Sequence, residues 1–567
     1  MDFIKGMDIS FLPELNKLLP EFYDADGNKK EIWELLKENG VNSIRLRLFH
    51  EPENVAESGG YCNLEQTIAM AKQIKQNGMS FFLDFHYSDW WADPGKQVKP
   101  KAWEKLEFEE LEQAVYDYTR DVLLIMKKEG VLPELVQIGN EIRSGMLFPE
   151  GEVPNYRQLV LLVNSGIQAV REIDKDMKIV IHLDQGGRYY YLREWFDACL
   201  AAGLEEFDII GVSYYPFWHG SFMDLKNSLV NLVKRYKKPV VVAETAHAWR
   251  NAGDGFIGEQ QEKIAGFSAS PRGQKQVLDL VMNITASLDN NMGLGIYYWE
   301  PVVLPLEGKG GWWSNMGVFN EKAAALPALS CFRFVREDFK PREIAKLYEP
   351  EKIIQKLGEA VRLPEYIKVL YFDGESKEIN VCWEAFLPER AGTFKITGSI
   401  PSIGRTVEAE VLVVDEFETS HNYLDNAAFE DGLRGWEIQS LDNRVKTELL
   451  QEFEEPFPAP PVNYIYVESP VNFTWKLEKQ VKGLEPGRYC LSVEYRGTNT
   501  TGVDVRLYAG ERNQNYKELV IFPTDESWVT YELPDVVIEK DSVKLGVTMV
   551  SPPVFAKIRR FRFLKQN

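Results

Sequence analysis

Residues Ser80 to Glu141 decide how this chain folds. The stretch opens with SFFLDFH (Ser80 to His86), carries LEQAVYDYTRDVLLIMKKEG (Leu111 to Gly130) in its middle and closes with LVQIGNE (Leu135 to Glu141). The outer pieces are short apolar runs, the pattern of buried strands. Between them Leu111, Ala114, Val115, Tyr118, Val122, Ile125 and Met126 follow the i, i+3, i+4, i+7 spacing of an amphipathic helix, and Gly130 ends it.

The same alternation extends in both directions, up to about residue 340. Further runs rich in Val, Ile and Phe are FIKGMDI from Phe3, SIRLRLF from Ser43, KIVIHLD from Lys178, DIIGVSYY from Asp208, PVVVAE from Pro239 and LGIYYW from Leu294. A second helical stretch, Leu64 to Gly78, places Ile68, Ala71 and Ile74 on one face. Eight buried strands alternating with helices argue for an α/β chain closed into a (β/α)8 TIM barrel. An open doubly wound sheet is the alternative, but no glycine-rich phosphate loop follows the first run. GDGFIG from Gly253 resembles such a loop only superficially, since no strand directly precedes it and the lysine is missing.

Beyond about Ile353 the strands continue without helices. YIKVLYFDG, EINVCWEAF, GTFKITGSI and RTVEAEVLVV alternate apolar and polar positions between turns, which suggests a small immunoglobulin-like sandwich, a spacer. From about residue 420 a second all-β section carries YCLSVEYRG, VDVRLYAG and VKLGVTMV, with EFEEPFPAPP (Glu452 to Pro461) as a long internal loop. The expected domains are therefore 1–352, a barrel, 353–418, a small β domain, and 419–567, a β-sandwich.

Charge narrows the function. With 86 Asp plus Glu against 65 Lys plus Arg the chain carries a net charge of -21 and has no basic stripe, so nucleic acid and anionic membranes are excluded as expected partners. No apolar run approaches the roughly 20 residues that cross a bilayer, and MDFIKGMDIS lacks the basic-then-apolar order of a secretory signal. Cys62, Cys199, Cys331, Cys382 and Cys490 are scattered and odd in number, without the spacing of a disulfide framework or a zinc site. A monomer is expected. The 14 Trp, 25 Tyr and 31 Phe point elsewhere: many Trp lie in turn-like segments, where flat rings suit the C–H faces of sugars.

In a TIM barrel the chemistry sits at the carboxyl ends of the strands. Here those ends are polar and aromatic: Arg45 and Arg47 on the second run, Asp84 and His86 on the third, Gly139-Asn140-Glu141 on the fourth, Tyr214 and Tyr215 on the sixth, Glu244 on the seventh, Trp299-Glu300 on the eighth. A single carboxylate at a strand end is more often an ion-pair partner than a catalyst, and His86 alone more often a satisfied core histidine. Two glutamates three strands apart, with the arginines and aromatics around them, are what a retaining glycosidase needs. One carboxyl protonates the departing oxygen and the other, about 5 to 5.5 Å away, attacks the anomeric carbon.

The segments KGMDIS, FHYSDWWADPGKQVKPKAW, VQIGNEIRSGMLFPEG, GVSYYPFW, VVVAETAHAW and YYWEP, in this order, resemble glycoside hydrolase family 53, the endo-β-1,4-galactanases, over about residues 3 to 335. The resemblance implies retaining cleavage of the β-1,4-galactan side chains of pectic arabinogalactan, secreted or at the cell surface. It assigns Glu141 as general acid/base and Glu244 as nucleophile, Asn140 to the sugar 2-hydroxyl, and Arg45 and Tyr215 to holding the nucleophile ionised. An ionised nucleophile and a protonated acid are also what the chemistry requires. Asp84, His86, Trp90, Trp91, Trp299 and Trp313 (or Trp312) complete the expected substrate cleft. The resemblance also implies that bacterial members tend to carry calcium in the loop after the seventh strand; here RNAGDGFIGEQQ offers Asp254 but no histidine and few carboxylates, so no cofactor and no metal are expected, calcium near Asp254 being the alternative.

NAAFEDGLRGW (Asn426 to Trp436) resembles the first strand of jelly-roll carbohydrate-binding modules. The rings Tyr464, Tyr466, Trp475, Tyr495, Tyr508, Tyr516 and Trp528 exceed what a core of that size requires. Two other readings stand beside the galactanase: another retaining β-glycosidase of the same barrel clan, such as a β-galactosidase or mannanase, and a catalytically dead sugar-binding scaffold. The second has no chemical reason to retain both glutamates.

Overall fold

A computed structural model describes residues 2–566, apart from 18–20, 252–261, 263, 305–312, 341, 351, 359–360, 415–420, 441–443, 453–461, 470, 499–501, 512–513, 523–526 and 552–553. The described chain divides into two compact units, Met1–Tyr348 with Tyr366–Asn380, and Glu349–Glu365 with Val381–Asn567.

Among the described residues of the first unit, eight parallel strands close a barrel: β1 (Ile4–Asp8), β2 (Ser43–Leu48), β3 (Ser80–Phe85), β4 (Leu135–Ile138), β5 (Lys178–Leu183), β6 (Ile209–Ser213), β7 (Val240–Thr245) and β8 (Gly293–Trp299), with β8 pairing back to β1. Each run read as a strand is one. Helices cross outside: α1 (Ile32–Glu38), α2 (Leu64–Gln76), α3 (Phe108–Lys128), α4 (Tyr156–Ile173), α5 (Tyr189–Ala201), α6 (Phe222–Tyr236) and α7 (Pro271–Ala286). α3 begins in a capping box between Glu107 and Glu110, carries Lys127 and Lys128 in its last turn, and stops where Gly130 turns to φ 72°. Its buried face is Leu111, Val115, Thr119, Val122, Leu123 and Met126. Ile125, expected inward, is 42% exposed, while Leu123, outside the expected stripe, is fully buried. Each large apolar chain on this face contributes about 1.5–3 kcal/mol by leaving water.

Inside the barrel, strand residues two apart share a face. Ile4, Phe82, Leu135, Val180, Ile209, Val241 and Tyr297 form one apolar layer. Two residues further along the same strands the inward face turns polar, to Asp84, Gln137 and His182. This step from apolar to polar, strand by strand, builds the floor of the site.

A three-stranded sheet (Ile344–Leu347, Tyr366–Tyr371, Ser376–Asn380) belongs to the barrel's unit, although its last two strands lie past the expected boundary at 352. The reason is packing: Leu370 is buried in the barrel's hydrophobic cluster, and Lys226 of α6 lies 3.1 Å from both Asp373 and Glu375.

The second unit is all β. Its four-stranded sheet joins Ile353–Lys356, Arg405–Val414, Gly392–Ile400 and Cys382–Trp383. Two antiparallel five-stranded sheets follow, one of Trp436–Ser440, Phe473–Lys482, Ser542–Ser551, Asp504–Glu511 and Gln514–Ile521, the other of Lys446–Glu452, Val462–Ser469, Val554–Lys565, Gly487–Gly497 and Val529–Ile538. Their inner faces share a core that includes Trp475, Leu477, Tyr489, Leu491, Tyr495 and Phe563. Of the seven rings proposed as surplus, Tyr464, Trp475, Tyr495 and Tyr508 are buried, whereas Tyr466, Tyr516 and Trp528 are half-buried.

Candidate active site

The strand ends need special backbone to present their side chains. After β4 the chain turns through two left-handed residues, Gly139 (φ 77°) and Glu141 (φ 47°). A Cβ on Gly139 would lie 2.7 Å from Ile142 Cγ2, so only glycine fits there. A glutamate at positive φ is uncommon, and such strain gathers where function requires it. Register shifts interrupt β7 pairing beside Glu244, once against β6 at Ser213 and once against β8 after Val242. Irregularities of this kind re-aim side chains at a barrel rim.

Arg45 lies at the centre. One terminal nitrogen donates to Asp8 Oδ2 at 3.0 Å and to Glu244 Oε1 at 2.9 Å; the other donates to Asp84 Oδ2 at 2.8 Å and shares its second hydrogen between Gln137 Oε1 and Asn140 Oδ1, each 3.1 Å away. Tyr215 adds its hydroxyl to Glu244 Oε2 at 3.1 Å. Glu141 has a poorer set of partners, with Ser213 Oγ 2.6 Å from its Oε1. Asn140 Nδ2 donates to the Ala92 carbonyl at 2.9 Å. Ala92 N–H in turn donates to His86 Nδ1 at 3.0 Å, leaving His86 Nε2 to donate to Asp84 3.1 Å away.

Burial raises both glutamates. Glu141 is driven well above the usual carboxylate range by burial first, then by the charges of Glu244 and Asp184. Glu244 is pushed up by burial to about 7, with Arg45 and the Tyr215 hydrogen bond pulling it back. Arg45 is shared with Asp8 and Asp84, whose negative charges offset part of the guanidinium's help to Glu244. The order is the one acid/base chemistry needs: the proton belongs on Glu141 and the charge on Glu244. Asp84 is held below the usual range, since Arg45 and His86 outweigh its burial.

Rings line one side of the mouth. Trp90 and Trp91 are both half-buried, so neither is simply packed away. Arg47 lies 4.1 Å over the Trp91 ring and pairs with Glu300. Trp91 meets Trp299 edge-on at 5.8 Å, Trp299 meets Trp313 at 4.6 Å, and Trp313 meets Tyr215 at 5.6 Å. Trp313 is only 4% exposed and braces this row. Trp312 and the Asp254 segment expected near calcium lie outside the described residues.

All the expected site residues from Arg45 to Trp313 thus converge on one end of the barrel. Asp8, Gln137, His182 and Ser213 belong to the same network and were not singled out from the sequence. The available signal was a polar residue at an inward position of an otherwise apolar strand.

The profile of glycosyl hydrolase family 53 matches residues 4–332. The chain belongs to that family. Residues 348–403 match a bacterial Ig-like domain of group 4. This family 53 hydrolase is 35% identical to the arabinogalactan endo-beta-1,4-galactanase of Cellvibrio japonicus over 59% of this chain and 91% of that protein. Its barrel superposes on the family 53 catalytic domain of Ignisphaera aggregans with a TM-score of 0.55 and 39% identity, covering 59% of this chain and 96% of that one. A fungal beta-1,4-galactanase structure gives a TM-score of 0.54 at 31% identity, covering 59% and 100%. Among the described residues no helix is long and apolar enough to cross a membrane.

Proposed function

We propose that this hydrolase cleaves β-1,4-galactan within the chain, with retention of configuration. The observation that carries the reading is the unequal environment of two buried glutamates: Arg45 and Tyr215 both donate to Glu244, while Glu141 meets Ser213. In the first step a Glu244 oxygen attacks the anomeric carbon, the glycosidic C–O bond breaks, and the Glu141 proton passes to the leaving oxygen. In the second, Glu141 takes a proton from water, whose oxygen displaces Glu244. The relatives named as galactanases support the substrate, and the half-buried Trp90, Trp91 and Trp299 at the mouth support an uncharged ligand with apolar faces. A polysaccharide does not cross membranes, so the reaction belongs outside the cell or at its surface.

The test is incubation with linear galactan, with arabinan, xylan, cellulose and mannan as controls. Short oligosaccharides released from galactan alone are the expected product; monosaccharide alone marks a β-galactosidase pocket. Glu244→Ala is expected to lose several orders of magnitude in rate and to recover part of it with azide as the inverted glycosyl azide.

The C-terminal sandwich is proposed to hold galactan without cutting it and so to raise the polymer concentration near the barrel. The half-buried Tyr466, Tyr516 and Trp528 supply the partly exposed aromatic surface that supports a sugar platform on that module. Affinity electrophoresis of the full-length Glu244→Ala protein in galactan gel checks it. Retardation is expected, reduced by adding Trp528→Ala; unretarded migration of the parent reduces the module to a structural role.

A further inference from the structure

The hydrogen-bond network beneath Glu141 can be assigned atom by atom, because acceptor-only groups anchor it. Gln137 Nε2 lies 2.5 Å from Asp84 Oδ1 and 3.0 Å from the Gly139 carbonyl, both acceptors, so its amide orientation is set and its Oε1 faces Arg45. Asn140 Nδ2 donates to the Ala92 carbonyl, which leaves Asn140 Oδ1 facing the Arg45 guanidinium 3.1 Å away. That oxygen is therefore an acceptor. His182 Nδ1, also 3.1 Å from it, must carry a hydrogen.

His182 is wholly buried on β5, and burial together with Arg45 holds it well below the usual histidine value. It is neutral, so with Nδ1 protonated its Nε2 is a bare acceptor. The partner 2.9 Å from Nε2 is Ser213 Oγ, whose single proton goes there. The same Oγ sits 2.6 Å from Glu141 Oε1 and has only lone pairs left to offer.

We infer that Ser213 and His182 are positioning residues that keep the catalytic proton on Glu141: the acid donates to Ser213 Oγ, Ser213 donates to His182 Nε2, and His182 Nδ1 donates to Asn140. The inference rests on Glu141 being the proton donor. Ionising Glu141 turns the Ser213 proton toward the carboxylate and strands His182 Nε2. The other tautomer sets the Nδ1 and Asn140 Oδ1 lone pairs against each other. Buried acceptors without donors are costly, so the relay favours the acid form. The groups facing Glu141 are Glu244, Asp184 and Asp93, whose charges act in the same direction, and Arg143, which is engaged by Asp184 at 2.7 Å. Those facing His182 are Arg45, Asp84, His86 and His219.

The test is the pH dependence of kcat/KM on polymeric galactan for Ser213→Ala and Ser213→Thr. Ser213→Ala is expected to move the basic limb to lower pH by about half to one unit, and Ser213→Thr, which keeps the hydroxyl, to restore it. A limb that stays in place, or moves to higher pH as it would if Ser213 merely donated to the carboxylate, overturns the relay. If Ser213→Ala does not fold, 15N imidazole spectra of the wild-type enzyme decide: a hydrogen on Nδ1 of His182, identified by the signal lost in His182→Gln, is expected, and one on Nε2 overturns the proposal. Glu141→Gln separates the two readings. Its full activity on galactan would refute the acid assignment itself, whereas its loss there, with a single-turnover burst of aryl alcohol from an activated aryl galactoside retained, leaves the relay to stand or fall on Ser213.

Discussion

Arg45 on β2 and Glu244 on β7 meet across the barrel at 2.9 Å, 199 positions apart in the chain. The guanidinium also holds Asp8, Asp84, Gln137 and Asn140, so it organises the floor of the site and not only one carboxylate. A lysine offers a point charge in place of the planar fork. Arg45→Lys is expected to cost about 3–5 kcal/mol of stability through uncompensated buried carboxylates, read as a lower denaturant midpoint. It should also lower kcat by at least an order of magnitude.

Stability should carry the signature of Glu141. A carboxyl whose folded pKa is raised binds more protons folded than unfolded at pH values above its ordinary 4.5, so its contribution to stability falls as pH rises through that window. Glu141→Gln removes this penalty. The variant is expected to melt above the wild type near neutral pH, with the difference closing below about pH 4.5, while galactan cleavage falls by orders of magnitude. Melting curves across pH check the sign.

The row of rings should matter more to a polymer than to a small substrate. Trp299→Ala removes the middle member, between Trp91 and Trp313. About tenfold in KM for galactan is expected, equivalent to about 1.4 kcal/mol, with a smaller loss on an activated monosaccharide. Equal losses on both substrates would assign the ring to packing.

Deeper in the barrel, a Cβ on Gly6 would lie 2.2 Å from Tyr297 Cδ1, and that ring is pinned by its hydroxyl 2.7 Å from Ser43 Oγ. Gly6→Ala is expected to cost about 1–3 kcal/mol by overpacking, with activity per folded molecule little changed. Denaturant unfolding followed by tryptophan fluorescence provides the measurement.

Much of this was legible in one dimension because hydrophobic period and strand-end position are local properties. The runs at Ser80, Leu135 and Asp208 read as buried strands, and Glu141 and Glu244 stood out as carboxylates at the ends of such runs. Gln137, His182 and Ser213 did not stand out, since one polar residue in an apolar run has no partner until the barrel closes. The period-two inward face, Phe82 to Asp84 or Val180 to His182, was the trace they left.

The sequence by itself determined the α/β order, the placement of catalytic candidates at strand ends and the change to all-β structure near residue 353, because these follow from patterns spanning a few tens of residues. Only the tertiary structure decided that Arg45 is shared among three carboxylates, that both glutamates sit above the usual range, and that the strands at 366–380 belong to the barrel's unit. Each of these depends on burial and on the distance between groups far apart in the chain. Electrostatic energy in a dry interior is governed by those two quantities, and the closure of eight strands sets both.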